Sequence, residues 1–167
     1  IYRAAAALGQ KAHIGIDDVS ATIRPLYEEF VEHPSYPEDM FVTSGEAKEM
    51  IDDTSMVIVV DTNRPGMTEC PELLGMTRTI VVFDHHRQSS DNIDNALLSY
   101  IEPYASSACE MVSEVLQYIT DDVKTPAVEA NSLYAGIVID TNNFMNKTGV
   151  RTFEAAAFLR PCGAGIP

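Results

Sequence analysis

Basic residues are scarce in this sequence. Its 167 residues include 11 Lys and Arg against 25 Asp and Glu, which gives a net charge of −14. Because proteins bind long nucleic acids mainly by neutralising phosphates, this balance argues against a partner of that kind. A small anionic substrate remains compatible with the acidity where carboxylates hold a divalent metal, since the bound ion supplies a local positive charge.

Cysteines and long apolar runs are also few. The three cysteines, Cys70, Cys109 and Cys162, are widely spaced and form no Cys-x-x-Cys pair, so neither a disulfide framework nor a zinc site is predicted. This pattern favours a reducing compartment, and we expect a cytoplasmic location. No apolar run approaches the ~20 residues of a membrane-spanning helix, and the first residues do not resemble a signal peptide. We therefore predict no membrane contact from this chain.

The motifs of three common enzyme classes are missing. The sequence contains no P-loop, no Gly-x-Gly-x-x-Gly and no Gly-x-Ser-x-Gly. The sequence therefore contains none of the usual motifs for nucleotide-driven phosphoryl transfer, dinucleotide-cofactor binding or serine hydrolysis.

What the chain does have is the pattern of an α/β domain. Its apolar content is 46%, enough for a core, and strand-like segments alternate with helix-like ones. This pattern predicts a parallel sheet flanked by helices on both faces, in one domain over residues 1–167. The helix predicted at residues 1–8 has no capping residue and no preceding strand, so we expect the sequence to be a fragment.

The most informative stretch covers residues 79–87. A β-branched apolar run without alternation predicts a strand buried on both faces, and it ends at three candidate metal ligands, Asp84, His85 and His86. In an open α/β sheet, the carboxyl ends of the strands border the crevice where ligands bind. Since neighbouring residues of a strand point to opposite faces, we predict different roles for the two histidines unless the chain turns there.

Two further carboxylates end predicted elements. Asp61 follows an apolar strand at residues 56–60, and Asp140 ends a predicted helix, where the helix dipole disfavours negative charge unless water or a cation compensates it. Together with His85, these oxygen and imidazole ligands suit Mn²⁺, with Mg²⁺ and Fe²⁺ as alternatives. A carboxylate that bridges two ions about 4 Å apart, as Asp61 would, is the arrangement that activates water for phosphoester hydrolysis.

Polar residues near two predicted helix starts have more than one interpretation. Ser107 and Glu110 form a capping-box pattern, although a phosphate at the same helix terminus is an open alternative. Thr152 is predicted to cap the last helix. Arg151 either clamps a phosphate or forms a surface ion pair, and the sequence favours neither.

Three motifs follow one another in a distinctive order and spacing: Asp61-Thr-Asn-Arg-Pro, Asp84-His85-His86-Arg87 and Asp140-Thr141. They resemble motifs two, three and four of the DHH phosphoesterase superfamily. The segments at residues 104–110 and 148–156 resemble the cyclic-di-AMP phosphodiesterases of the GdpP type more than RecJ nucleases or oligoribonucleases. The similarity runs essentially from end to end of the chain.

The resemblance implies a manganese-dependent phosphodiesterase that hydrolyses cyclic-di-AMP to the linear dinucleotide 5′-pApA with two metal ions. It implies that Asp61 bridges the ions, that His85 and Asp140 complete the second metal site, and that His86 contacts the scissile phosphate. Arg151 is a second candidate for contact with the substrate. A homodimer is a further expectation.

Two parts of the family pattern are absent. The first motif, a His followed by two Asp ligands, is not found, since none of His13, Asp17 and Asp18 has its context. The small C-terminal substrate domain is also missing. We therefore expect a domain truncated at both ends and poorly active by itself, from a parent in which membrane helices and sensory domains precede this cytoplasmic part.

Two alternative functions remain at this stage. One is another activity of the same superfamily, namely an oligoribonuclease, a phosphatase of 3′-phosphoadenosine phosphate or a pyrophosphatase. The other is a catalytically silent fragment that binds a nucleotide or a partner protein, which the missing first motif favours.

Overall fold

The computed structural model describes residues 1–119 and 124–165. Two compact units emerge from its contacts. We call the first the helical unit (residues 1–12, 20–38 and from 104 onward) and the second the strand unit (residues 13–19 and 39–103). Each is described by itself.

The strand unit contains two parallel sheets. In one, β1 (Ile14–Gly15) pairs with β2 (Phe41–Val42), and in the other β3 (Met56–Val60), β4 (Thr79–Asp84) and β5 (Leu98–Ile101) lie in the order β3-β4-β5. The single α-helix described in this unit is α3 (Ser44–Met50). The register pairs Val60 with Phe83, so β3 and β4 end at the same edge.

The apolar run of β4 explains its central place. β4 lies between β3 and β5, and the strands of parallel sheets are usually covered on both faces by other elements, which favours continuous apolar sequence over alternation. Ile80 and Val82 are buried in a core that also includes residues from β3 and from the connecting loops: Val59, Leu74 and Ile93. The burial predicted for this strand is confirmed.

The helical unit is formed by α1 (Tyr2–Ala7), α2 (Arg24–Glu32), α4 (Ala108–Ile119), α5 (Ala127–Asp140) and α6 (Val150–Leu159). The last three helices pack against one another around Ala130, Ile137, Ala155 and Leu159. Gly136 of α5 lies against Cys109 of α4, since a Cβ built on this glycine would be 2.3 Å from the Cys109 Sγ.

A buried carboxylate joins the first turns of α4 and α6. Glu110, 2% exposed, accepts hydrogen bonds from the Ser106 hydroxyl and, at 2.6 Å, from the Thr152 hydroxyl. Ser107 accepts from the Glu110 amide, as predicted for a cap. The prediction for Thr152 was wrong, because Gly149 is the N-cap and Thr152 instead accepts from the Gly149 amide while donating to Glu110.

The predicted α/β class is confirmed, since the chain combines parallel sheets with helices, although the strands form two sheets and not one. Across residues 1–119 and 124–165, none of the helices has both the length and the apolar character required to cross a bilayer.

Candidate metal centre

The carboxyl ends of β3 and β4 bring the predicted site residues together. Asp61 is the first residue after β3, and its amide donates to the Phe83 carbonyl at 2.8 Å, which extends the pairing of the strands by one residue. The backbone of Asp61 then turns sharply, with φ of 66° in the left-handed region. Asp tolerates this region better than most residues, although it remains strained for any L-amino acid.

Asp61 and both histidines form a compact cluster of potential ligands. One ligand atom from each of Asp61, His85 and His86 lies within 4.8 Å of the others. The His85 Nε2 is 3.2 Å from the Asp61 Oδ1, and His85 is nearly buried whereas the Asp61 side chain is 60% exposed. The cluster therefore reaches from the interior to the surface.

Both histidine side chains lie near Asp61. Strand alternation had predicted that they point to opposite faces of the sheet. Their ring centroids are 4.4 Å apart. The physical reason is that β4 ends at Asp84 and the chain bends at His86, so alternation no longer applies beyond the strand. The different roles predicted for His85 and His86 thus rest on their partners.

Asp84 supports His86 from inside the protein. The carboxylate is fully buried, and its Oδ1 lies 2.7 Å from the His86 Nδ1 and accepts from the His86 amide at 3.2 Å. Its Oδ2 accepts from the Asn63 side chain at 2.5 Å. Both oxygens of Asp84 thus have protein partners, and its role as a metal ligand stays a prediction.

Asn63 is a site residue that the sequence analysis missed, because the motif that contains it drew attention only to Asp61. It is 4% exposed and touches the same carboxylate that holds His86. The signal that points to it is its position two residues after Asp61, within the first of the three motifs.

Asp140 and Arg151 belong to the helical unit. Asp140 is the last residue of α5 and is exposed, and residues 142–144 after it all have positive φ. Arg151, in the first turn of α6, donates to Glu114 from Nε at 3.1 Å and from Nη2 at 2.6 Å. The roles of Asp140 as a ligand and Arg151 as a phosphate clamp stay predictions.

The donor set fits a divalent cation. A carboxylate and two imidazoles, without thiolate, combine the oxygen ligand preferred by Mn²⁺ and Mg²⁺ with the nitrogen ligand that suits iron and other transition metals. The nearby support of a histidine by a buried carboxylate is also common at metal sites, where such contacts fix ring orientation and tautomer.

Comparison with known proteins identifies similarities over most of the chain. Residues 4–137 match the DHH family, N-terminal domain. The chain is 42% identical over 146 residues to the cyclic-di-AMP phosphodiesterase PdeA of Listeria monocytogenes, covering 87% of this chain and 22% of that protein. It is 44% identical over 124 residues to the cyclic-di-AMP phosphodiesterase GdpP of Bacillus subtilis, covering 74% and 19% respectively. The chain thus spans about a fifth of the length of these curated relatives.

The architecture also resembles a solved structure. An exopolyphosphatase-related protein from Bacteroides fragilis superposes with a TM-score of 0.70 at 15% identity, over 98% of this chain and 47% of that one. At this level of identity the likeness concerns the fold alone.

Proposed function

The chain belongs to the DHH family, and we propose that it is the catalytic core of a manganese-dependent phosphodiesterase that hydrolyses cyclic-di-AMP to linear 5′-pApA. The observation that carries the proposal is the cluster of Asp61, His85 and His86 at the ends of two parallel strands. The choice of substrate is supported by two relatives whose names specify cyclic-di-AMP and which share 42% and 44% identity with this chain.

In the proposed site, Asp61 and His85 would hold the metal, with Asp61 shared between two ions in the whole protein and Asp140 contributing to the second. Bound divalent ions would supply the charge that makes water a nucleophile near neutral pH and that offsets the negative phosphate. A chain with a net charge of −14 needs such compensation to accept an anionic substrate.

His86 contacts the scissile phosphate in this proposal. Asp84 engages the Nδ1 atom of His86, so Nε2 is the ring nitrogen left to meet a ligand. The His86 side chain is 58% exposed, whereas that of His85 is 7% exposed. This difference supports the assignment of the buried ring to the metal and the exposed ring to the substrate.

The proposal extends to the setting of the enzyme. Its substrate is a small nucleotide and not a long nucleic acid, and Arg151 is a second contact for the phosphates. The parent protein is tethered to a membrane, as the resemblance to GdpP-type proteins implies, with this domain in the cytoplasm and a homodimer as the assembly.

Metal titration tests the ligand assignment. Asp61→Asn should weaken Mn²⁺ binding, measured by calorimetry, far more than Asp18→Asn, which removes the same charge from another exposed aspartate of the strand unit. His85→Ala should likewise lose metal, whereas His86→Ala should retain it and lose turnover. Equal effects of the two aspartate variants would show that Asp61 is not a ligand.

Product analysis tests the substrate. The natural full-length protein should convert cyclic-di-AMP to the linear dinucleotide, detected by chromatography. Hydrolysis of short oligonucleotides, 3′-phosphoadenosine phosphate or pyrophosphate without cyclic-di-AMP hydrolysis would replace this proposal by another activity of the family. Binding of the nucleotide without any turnover would make the domain a silent binding module.

A further inference from the structure

Asn63 has a buried side-chain amide beside the cluster of potential ligands, and the ligand set proposed above gives it no role. Its side chain donates from Nδ2 to the Asp84 Oδ2 at 2.5 Å. Across the part of the chain that the structure describes, no hydrogen-bond partner is found for its Oδ1. A buried carbonyl oxygen without a partner weakens a fold, so stability alone does not account for an amide here.

The backbone of Asn63 is fixed independently of its side chain. Its carbonyl oxygen accepts a hydrogen bond from the Ile93 amide at 2.9 Å, which ties the turn after β3 to the loop that precedes β5. The side chain therefore approaches Asp84 from a fixed position. A longer contact, 3.5 Å from Nδ2 to the His86 carbonyl, adds little, because hydrogen bonds weaken steeply at this length.

We propose that Asn63 is a positioning residue that sets the orientation and tautomer of His86 through Asp84. By holding Oδ2, the amide fixes the carboxylate so that Oδ1 accepts from the His86 Nδ1, 2.7 Å away. His86 then carries its proton on Nδ1 and presents Nε2 without one. This inference rests on the proposed function in one respect only, namely that the His86 Nε2 contacts the substrate phosphate.

An amide suits this position for electrostatic reasons. Asp84 is fully buried, so removal of the Nδ2 donor would leave one carboxylate oxygen without compensation. An aspartate in place of Asn63 would bring two carboxylates into contact. The amide donates without adding a charge and leaves the Asp84 carboxylate free to attract the proton of the His86 ring.

Nitrogen NMR of the histidine rings in the metal-free chain tests the inference without substrate. At about pH 9, above the range in which histidine rings usually titrate, His86 should carry its proton on Nδ1. In Asn63→Ala we expect the spectrum to move toward the Nε2-protonated form. Asn95→Ala removes another side-chain donor of the same unit, one that bonds the Leu74 carbonyl at 2.9 Å, and should leave the His86 tautomer unchanged.

Two results would overturn the inference. One is an Nε2-protonated His86 in the unmodified chain. This measurement requires no variant, so it decides the question even if the variants do not fold. The other is an unchanged tautomer in folded Asn63→Ala. If metal binding also falls in that variant, Asn63 acts as a ligand through Oδ1 and not as a positioning residue. Asn63→Ser keeps a donor on a side chain that is shorter, and it should shift the tautomer in the same direction. This variant is used if the alanine variant does not fold.

Kinetics of the natural full-length enzyme provide a second measurement. Asn63→Ala should lower kcat about 10- to 100-fold, the size of effect seen when the partner of a histidine ligand is removed at a metal site, with a smaller change in KM. An unchanged kcat would contradict the inference. A full-length protein without activity on cyclic-di-AMP would refute the proposed substrate, while the NMR result would still decide the role of Asn63.

Discussion

The contact between Gly136 and Cys109 allows a quantitative test of how closely α4 and α5 pack. A methyl group at position 136 would lie 2.3 Å from the Cys109 Sγ and 3.2 Å from its Cβ. Ordinary contacts between such atoms are roughly 3.5–4 Å. The sulfur can move by rotation about χ1, but the Cβ is attached to the backbone, so Gly136→Ala must also displace one of the helices.

Two opposing effects determine the outcome. Ala favours a helix interior over Gly by about 1 kcal/mol, and overpacking in a core costs about 1–3 kcal/mol. We expect the steric effect to equal or exceed the helix gain, so that Gly136→Ala destabilises the protein by up to about 2 kcal/mol. For a protein of this size, each kcal/mol corresponds to a decrease in Tm of about 2–4 °C.

Urea and thermal unfolding followed by circular dichroism would measure this effect. Cys109→Ala removes the sulfur, so the double variant should be more stable than the sum of the single effects by about 1–2 kcal/mol. Gly45→Ala in α3 is the matched control, because its nearest contact would be an ordinary 3.8 Å to the Thr43 Oγ1. A Gly136→Ala protein as stable as the control, or additive effects in the double variant, would refute the packing argument.

Two further predictions concern strain and buried charge. Since Asp61 has φ of 66°, Asp61→Gly should be more stable than Asp61→Ala by about 1 kcal/mol in urea unfolding with a chelator present, and equal stability would contradict the strain. Glu110→Ala leaves the Ser106 and Thr152 hydroxyls without their acceptor and should cost about 3 kcal/mol, whereas Ser107→Ala, which removes one capping bond, should cost about 1 kcal/mol. Similar small losses in both would show that the carboxylate does not join the two helices.

Local sequence patterns were sufficient for two strands of the larger sheet. The apolar run at residues 56–60 became β3 with the predicted bounds, and the run that begins at Thr79 became β4. The prediction succeeded because a short β-branched apolar segment strongly favours a strand, although β4 is mostly buried whereas Met56 and Val60 at the ends of β3 are exposed. Asp61 and Asp84 were found for the same reason, since each is the first polar residue after an apolar strand segment.

Other predictions failed where a side chain has partners distant in sequence. Thr152 looked like a helix cap, yet its hydroxyl donates to Glu110, 42 residues earlier in the chain. The capping pattern was correct for Ser107, whose hydroxyl accepts from the Glu110 amide, but the Glu110 carboxylate turns to Ser106 and Thr152. A local pattern does not reveal such a network, because buried polar atoms take whichever partners the packing of the helices provides.

The sequence by itself determined the α/β class and the placement of Asp61, Asp84, His85 and His86 at the carboxyl ends of parallel strands. These features depend on the order of residues along the chain. Only the tertiary structure decided that both histidines approach Asp61 and that Asn63 reaches Asp84, 21 residues away. The physical reason is that a side chain's direction beyond the end of a strand is set by long-range hydrogen bonds, which exist only once the strands are in register.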